Sequence, residues 1–241
     1  MSMNEQHIAS AFDRDLEGIQ ALIMKMGGLV EANIADAARS LETRDEELAV
    51  KVRKADKQID ALEEQVNEEA ARVIALRGPI AGDLRTVLSV MKISGNLERC
   101  GDYAKNLAKR TGVLLQMEPV GGSPKSIRRM AREVEQMLKM ALDAYIQRDV
   151  GLAEQVRARD LDVDQMYTSI FREFLTYMME DPRNITACMH LHFIAKNIER
   201  MGDHATSIAE QVIYLVTGEM PEESRTKGDN TSTETWQEGD K

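Results

Sequence analysis

The stretch NLERCGDYAKNLA, residues 96–108, returns as NIERMGDHATSIA at residues 197–209, with Asn, Glu, Arg, Gly, Asp and two Ala in matching places. Two copies of one unit are the mark of an internal duplication. Within each copy the acids lie four residues apart, Glu98 with Asp102 and Glu199 with Asp203. On a helix both members of such a pair point to one face, where like charges repel by about 0.2 to 0.5 kcal/mol. A chain that places them so twice needs a compensating reason.

The duplication extends outward. RDEELAVKVRKAD from Arg44 matches RDVGLAEQVRARD from Arg148 at seven positions, and each copy carries a further acidic pair, Asp56 with Asp60 and Asp160 with Asp164. Apolar positions Ile8, Phe12, Leu16, Ile19, Ile23, Met26, Val30 and Ile34 recur at threes and fours, which predicts one long helix from about Glu5 to Leu41. Thr43 with Glu46 has the form of a capping box for a second helix, which Gly78 and Pro79 stop after Leu76. A third helix is predicted over Ile80 to Leu115. A second trio follows, at Ser126 to Gln147, Asp149 to Met179 and Pro182 to Val216, with Asp181 and Pro182 as N-cap and first-turn residue. The expected fold is therefore all-α: two similar antiparallel three-helix bundles, six long helices in all. The expected domains are residues 1–117, a Gly- and Pro-rich linker at 118–125, residues 126–217, and a polar, disordered tail at 218–241.

Composition narrows the functional classes. The 241 residues include 43% hydrophobic but only 4% aromatic side chains, a balance suited to helical packing. A net charge of −10 argues against a general nucleic-acid binder. No stretch approaches the roughly 18 apolar residues of a membrane span, and the N-terminus lacks a signal-peptide core, so a cytoplasmic protein is expected. Cys100 and Cys188 occupy non-equivalent places in the two halves and read as reduced core thiols. Trp236 lies alone in the tail, and the sequon at Asn230 to Ser232 carries no meaning in a cytoplasmic protein. There is no phosphate-cradling P-loop, no Glu-x-x-His motif of ferritin-like di-iron enzymes and no legible nucleophile and base, so an enzyme is not expected.

Antiparallel geometry brings the acidic pairs together. Asp60 and Asp56 precede Pro79 by 19 and 23 residues, and Glu98 and Asp102 follow it by the same intervals; Asp164 and Asp160 precede Pro182 by 18 and 22, while Glu199 and Asp203 follow by 17 and 21. At about 1.5 Å per residue the facing pairs are level. They also interrupt apolar stripes: Leu84, Leu88, Met91, Gly95, Glu98 and Asp102 form one line. Carboxylates on a packed face are either neutralised by protons or hold cations. Eight acids, Asp56, Asp60, Glu98, Asp102, Asp160, Asp164, Glu199 and Asp203, thus form two candidate oxygen-rich metal sites for Mg, Mn, Ca or Fe. Gly101 and Gly202, set between the acids, suggest close helix approach, and Asn96 and Asn197 are candidate supports for the carboxylates. The bland alternative is a pair of solvated stripes, salt-bridged to Arg53, Arg99, Arg157 and Arg200. His7, His190, His192 and His204 read as surface or packed residues, with His192 the one to check.

These residues resemble the PhoU family of phosphate-uptake regulators, through the two ERxGD segments, KMGGLVE from Lys25, GDLR from Gly82 and LTYMMEDPR from Leu175. The resemblance covers about Asn4 to Gly218. It implies two three-helix bundles whose acidic repeats bind metal ions, with the eight carboxylates in those positions. It further implies a cytoplasmic negative regulator of phosphate-starvation signalling, in partnership with a phosphate-sensing histidine kinase and the ATPase subunit of a Pst-type ABC transporter, and a homodimer. A carboxylate-bridged metal enzyme and a metal-free helical dimeriser stand as the alternatives.

Overall fold

The structure, a computed structural model, describes the backbone of residues 3–221 and side-chain surroundings from residue 11 onward. Six helices account for nearly all of it: α1 (Met3–Thr43), α2 (Glu46–Arg77), α3 (Gly82–Leu114), α4 (Ser123–Gln147), α5 (Val150–Glu180) and α6 (Ile185–Thr217). Among the described residues there is no strand. The side chain of His7 and residues 222–241 of the expected tail, Trp236 among them, lie outside what is described.

The duplicated sequence builds duplicated joints. Asp45 caps α2 by accepting from the Leu48 amide at 2.9 Å, and Asp149 caps α5 by accepting from the Leu152 amide at 3.0 Å. The capping box expected at Thr43 is corrected by this: the Thr43 hydroxyl donates back to the Arg39 carbonyl, and Asp45 caps instead. The residue before each cap is left-handed, Arg44 at φ 55° and Arg148 at φ 54°. Such a conformation in a non-glycine residue persists only when its surroundings hold it. Arg44 is held by its guanidinium, which donates to the Leu115 and Met117 carbonyls at 2.8 and 3.0 Å, pinning the α1–α2 turn to the end of α3. At the α5–α6 turn Asp181 accepts from the Arg183 amide, but it opens a 3-10 turn, Pro182–Asn184, before α6 begins. Ser123 to Lys125, expected in the linker, are already helical because Pro124 sits in the first turn of α4, where its missing N–H is harmless.

The α1 stripe behaves as its periodicity demands. Ile19, Ile23, Met26, Val30 and Ile34 are buried to within 2% exposure, each burial worth about 1.5 to 3 kcal/mol. Within each bundle the three helices pack pairwise, and the bundles join through α1 against α4 and α3 against α6, leaving α2 and α5 on opposite flanks without contact. α3 and α6 run antiparallel: Arg85 near the start of α3 lies over the Tyr214 ring near the end of α6, and Arg110 near the end of α3 lies over Phe193 near the start of α6. They cross where Cys100 meets its repeat counterpart, its thiol directed at the Met201 carbonyl. Both cysteines are free and buried, and burial pushes the Cys100 thiol up to about 12, as an inert core thiol requires.

Candidate metal centres

The helical hairpins α2–α3 and α5–α6 place the acidic pairs level with each other. In the first bundle the ammonium of Lys105 bonds both Asp56, on α2, at 2.5 Å and Asp102, on α3, at 2.9 Å. Asp56 is buried, Glu98 and Asp102 are part-buried, and Asp60 is exposed at the outer edge. Burial and then the Asp102 charge hold the Glu98 carboxyl above its ordinary range; partial desolvation and then Asp56 do the same for Asp60. The four acids therefore feel one another, as the turn-counting predicted.

In the second bundle the acids are deeper. Asp160, Asp164 and Glu199 are 6%, 4% and 5% exposed, and Asp203 is part-buried. The Glu199 carboxyl is raised by burial, offset by the Lys196 ammonium at 2.9 Å, and raised again by Asp203 and Asp164. Lys196 also lies over the Tyr167 ring at 4.8 Å, a cation–π contact. Asp160 accepts from the Thr206 hydroxyl at 3.3 Å.

Gly101 and Gly202 both face the second helix of their own bundle, at different closeness. A Cβ on Gly101 would meet Ile59 at 3.0 Å and the Asp56 Oδ1 at 3.7 Å; one on Gly202 would meet Val163 at 3.4 Å and the Asp160 Oδ1 at 3.7 Å. Only at Gly101 is the approach tighter than a side chain normally makes; at Gly202 a Cβ would find ordinary contacts. Asn96 is different from expectation: its Nδ2 donates to the Lys92 carbonyl and its Oδ1 meets His204 Nδ1 at 2.7 Å, across the α3–α6 seam. It joins the bundles and does not brace the acids, because its place on α3 faces α6. Asn197 is part-buried on α6. His192 packs among the rings of Tyr167, Phe171 and Phe193. Of the arginines, Arg99 and Arg200 are exposed, with Arg99 3.6 Å from Glu98 and Arg200 over Tyr103, while Arg157 pairs with Glu154 and Glu210.

Do these acids suit a hard cation? The donors are all oxygen, the right chemistry for Mg or Mn. Two carboxylate oxygens, Asp56 Oδ1 and Glu199 Oε2, are buried with no hydrogen-bond partner, a costly state that a bound cation would relieve. As the side chains lie, however, no group of three or more His, Cys, Asp or Glu among the described residues is placed to hold an ion. The acids assemble on the right helices, and closing them on an ion takes side-chain rotation.

Sequence reasoning missed the lysines. Lys105 stands one turn after Asp102, and the repeat alignment sets Thr206 opposite it; Lys196 stands one turn before Glu199, opposite Gly95. That alignment was the signal.

The PhoU domain family matches residues 23–111 and 127–212, one segment per bundle. The chain belongs to the PhoU family. It is 48% identical over 222 residues to a phosphate-specific transport system accessory protein PhoU homolog of Zymomonas mobilis, covering 92% of this chain and 93% of that protein. A Rhizobium meliloti protein of the same description is 46% identical, covering 96% and 98%. The crystal structure of PhoU from Pseudomonas aeruginosa superposes with a TM-score of 0.84 at 40% identity, over 86% of this chain and all of that one. The phosphate transport system regulatory protein PhoU from Streptococcus pneumoniae gives 0.80 at 27% identity, over 88% and 99%. These PhoU proteins are described as accessory or regulatory, in agreement with the reading of the chain as a non-enzyme. No described helix is long and apolar enough to cross a membrane.

Proposed function

We propose that this chain is a cytoplasmic regulator of phosphate homeostasis that engages a Pst-type ABC phosphate transporter through its ATPase subunit. It acts with a phosphate-sensing histidine kinase to keep starvation genes off when phosphate is plentiful, and it works as a homodimer. The observation that carries this reading is similarity along nearly the whole chain, 46% over 235 residues in one case, to proteins described as accessory to phosphate-specific transport. Both bundles match, so the comparison is with the whole duplicated architecture and not one helical hairpin.

The acidic clusters add a structural element to that role. Asp160, Asp164, Glu199 and Asp203, and in the first bundle Asp56, Asp60, Glu98 and Asp102, are the residues that would hold Mg, Mn or Fe. A bound cation supplies positive charge between two helices, tying α2 to α3 or α5 to α6 where carboxylates otherwise repel. The orphaned, buried Glu199 Oε2 supports this directly.

Deleting the gene should raise phosphate-starvation gene output in cells grown at high phosphate, and restoring it should lower that output again. Output unchanged by deletion sinks the regulatory reading. Co-purification of the transporter's ATPase subunit with the tagged full chain tests the partner separately.

A further inference from the structure

The acidic pairs turn from α3 towards α2 and from α6 towards α5, and the outer face of the seam that α3 and α6 share is cationic. Arg85, Lys92 and Arg99 follow one another at seven-residue steps along α3, two helical turns apart and so on one side of it. Arg110 extends the row, and Arg200 joins it from α6. Three of these guanidiniums bridge the two helices by stacking on rings: Arg85 over Tyr214 at 5.8 Å, Arg200 over Tyr103 at 5.9 Å and Arg110 over Phe193 at 4.4 Å. Among the described residues Arg99 alone of these five cations pairs with an acid, Glu98, at 3.6 Å. Burial holds the His204 imidazole below its ordinary range; Asp203 opposes this and Arg99 and Arg200 both add to it, so the two guanidiniums converge on the middle of the seam.

The same face exposes apolar side chains. Ile185, Met189 and Phe193 stand at four-residue steps on α6, 46%, 40% and 44% exposed, and Val113, one turn past Arg110, is 40% exposed on α3. Arginine, methionine and phenylalanine are what protein interfaces gather, and a chain of net charge −10 collects them here.

We propose that the outer α3–α6 seam is a docking surface for an acidic amphipathic helix of a partner protein, whose carboxylates meet the arginines and whose apolar stripe packs on Met189 and Phe193. Charge decides among the occupants. A second copy would set cations against cations across a two-fold contact. An anionic membrane would press against the carboxylate clusters on either flank, whereas a helix, about 10 Å across, lies between them. From Arg85 to Arg110 the seam runs about 37 Å, the length of a helix of about 25 residues.

The test is fluorescence anisotropy of a fluorescein-labelled peptide of Glu and Leu, about 25 residues long with its leucines at helical spacing, titrated with the full-length protein. Wild type should bind it. Arg200→Glu and Phe193→Ser should each weaken binding about tenfold, and Lys54→Glu, on the exposed side of α2, should leave it within about twofold. All three positions are exposed, so the variants should fold, with helicity checked by circular dichroism. No binding by the wild type, equal losses in Lys54→Glu and Arg200→Glu, or equal binding of a shuffled peptide of the same composition overturns the assignment. So does Arg200-dependent binding to phosphatidylserine vesicles without binding to the peptide, which would make the face a membrane surface. A wild-type dimer in sedimentation that Arg200→Glu dissociates overturns it too, by making the face a contact between copies.

Discussion

The first and second bundles carry the same acidic motif on the same pair of helices, yet one buries a single acid and the other buries three, each cluster leaving one buried carboxylate oxygen without a hydrogen bond. In the first, Lys105 sits between Asp56 and Asp102, and Asp60 is exposed; in the second, Asp160, Asp164 and Glu199 are all buried and the equivalent of Lys105 is Thr206. Duplication preserved the backbone and the glycine between the acids, although only Gly101 is pressed by the facing helix. Single side chains around it then set the charge balance, because inside a packed seam each added ammonium or hydroxyl changes what the acids can hold.

The comparison can be broken most forcefully in the core. Phe174 is fully buried at the second-bundle position that Ala70 takes in the first. Phe174→Ala should cost about 3 to 5 kcal/mol, read from denaturant unfolding, through the cavity it leaves. A loss below that range would mean that α5 relaxes into the space the ring leaves.

Removal of metal comes next. With free Mn2+ at about 100 times its dissociation constant, binding linkage stabilises the fold by about 2.7 kcal/mol, so chelator should lower the melting temperature of the wild type. Glu199→Gln and Asp56→Asn should each weaken that response, since each removes a carboxylate from its own cluster. A response that neither variant changes would overturn the metal reading.

The glycines sharpen the comparison further. Gly101→Val and Gly202→Val should each cost about 1 to 3 kcal/mol by overpacking the seam. Alanine separates them: a Cβ at 202 finds ordinary contacts from 3.4 Å outward, whereas one at 101 presses on Ile59 at 3.0 Å. Gly202→Ala should therefore melt higher than Gly101→Ala, since the helix-propensity gain of about 1 kcal/mol survives only where the methyl fits. Smallest of all, Asp45→Ala and Asp149→Ala should each cost about 1 kcal/mol, and by equal amounts, because the two caps are alike at 2.9 and 3.0 Å.

Much of this was legible in the residues. The helical period located the first helix, caps, Gly and Pro stops and the repeat located the other five, and counting from Pro79 and Pro182 levelled Asp56 with Asp102 and Asp164 with Glu199. Helix ends were less legible: Thr43 offered a capping box that Asp45 supplanted, and Pro124 drew α4 into the linker. Asn96 misled because one helix position can serve either of two neighbours. Its partner, His204, lies 108 residues away, and only the α3–α6 crossing brings them together.

By itself the sequence determined that the chain is a duplicated all-helical protein with four acids meeting between two helices of each bundle, because periodicity and repeat spacing are local and survive without knowledge of packing. The tertiary structure alone decided which of those acids are buried, that Lys105 bridges Asp56 and Asp102 while Lys196 bonds Glu199, and that Asn96 and Cys100 belong to the seam. Burial and charge pairing depend on distances between helices far apart in sequence, and a few ångströms there decide whether a carboxylate faces water, an ammonium or nothing.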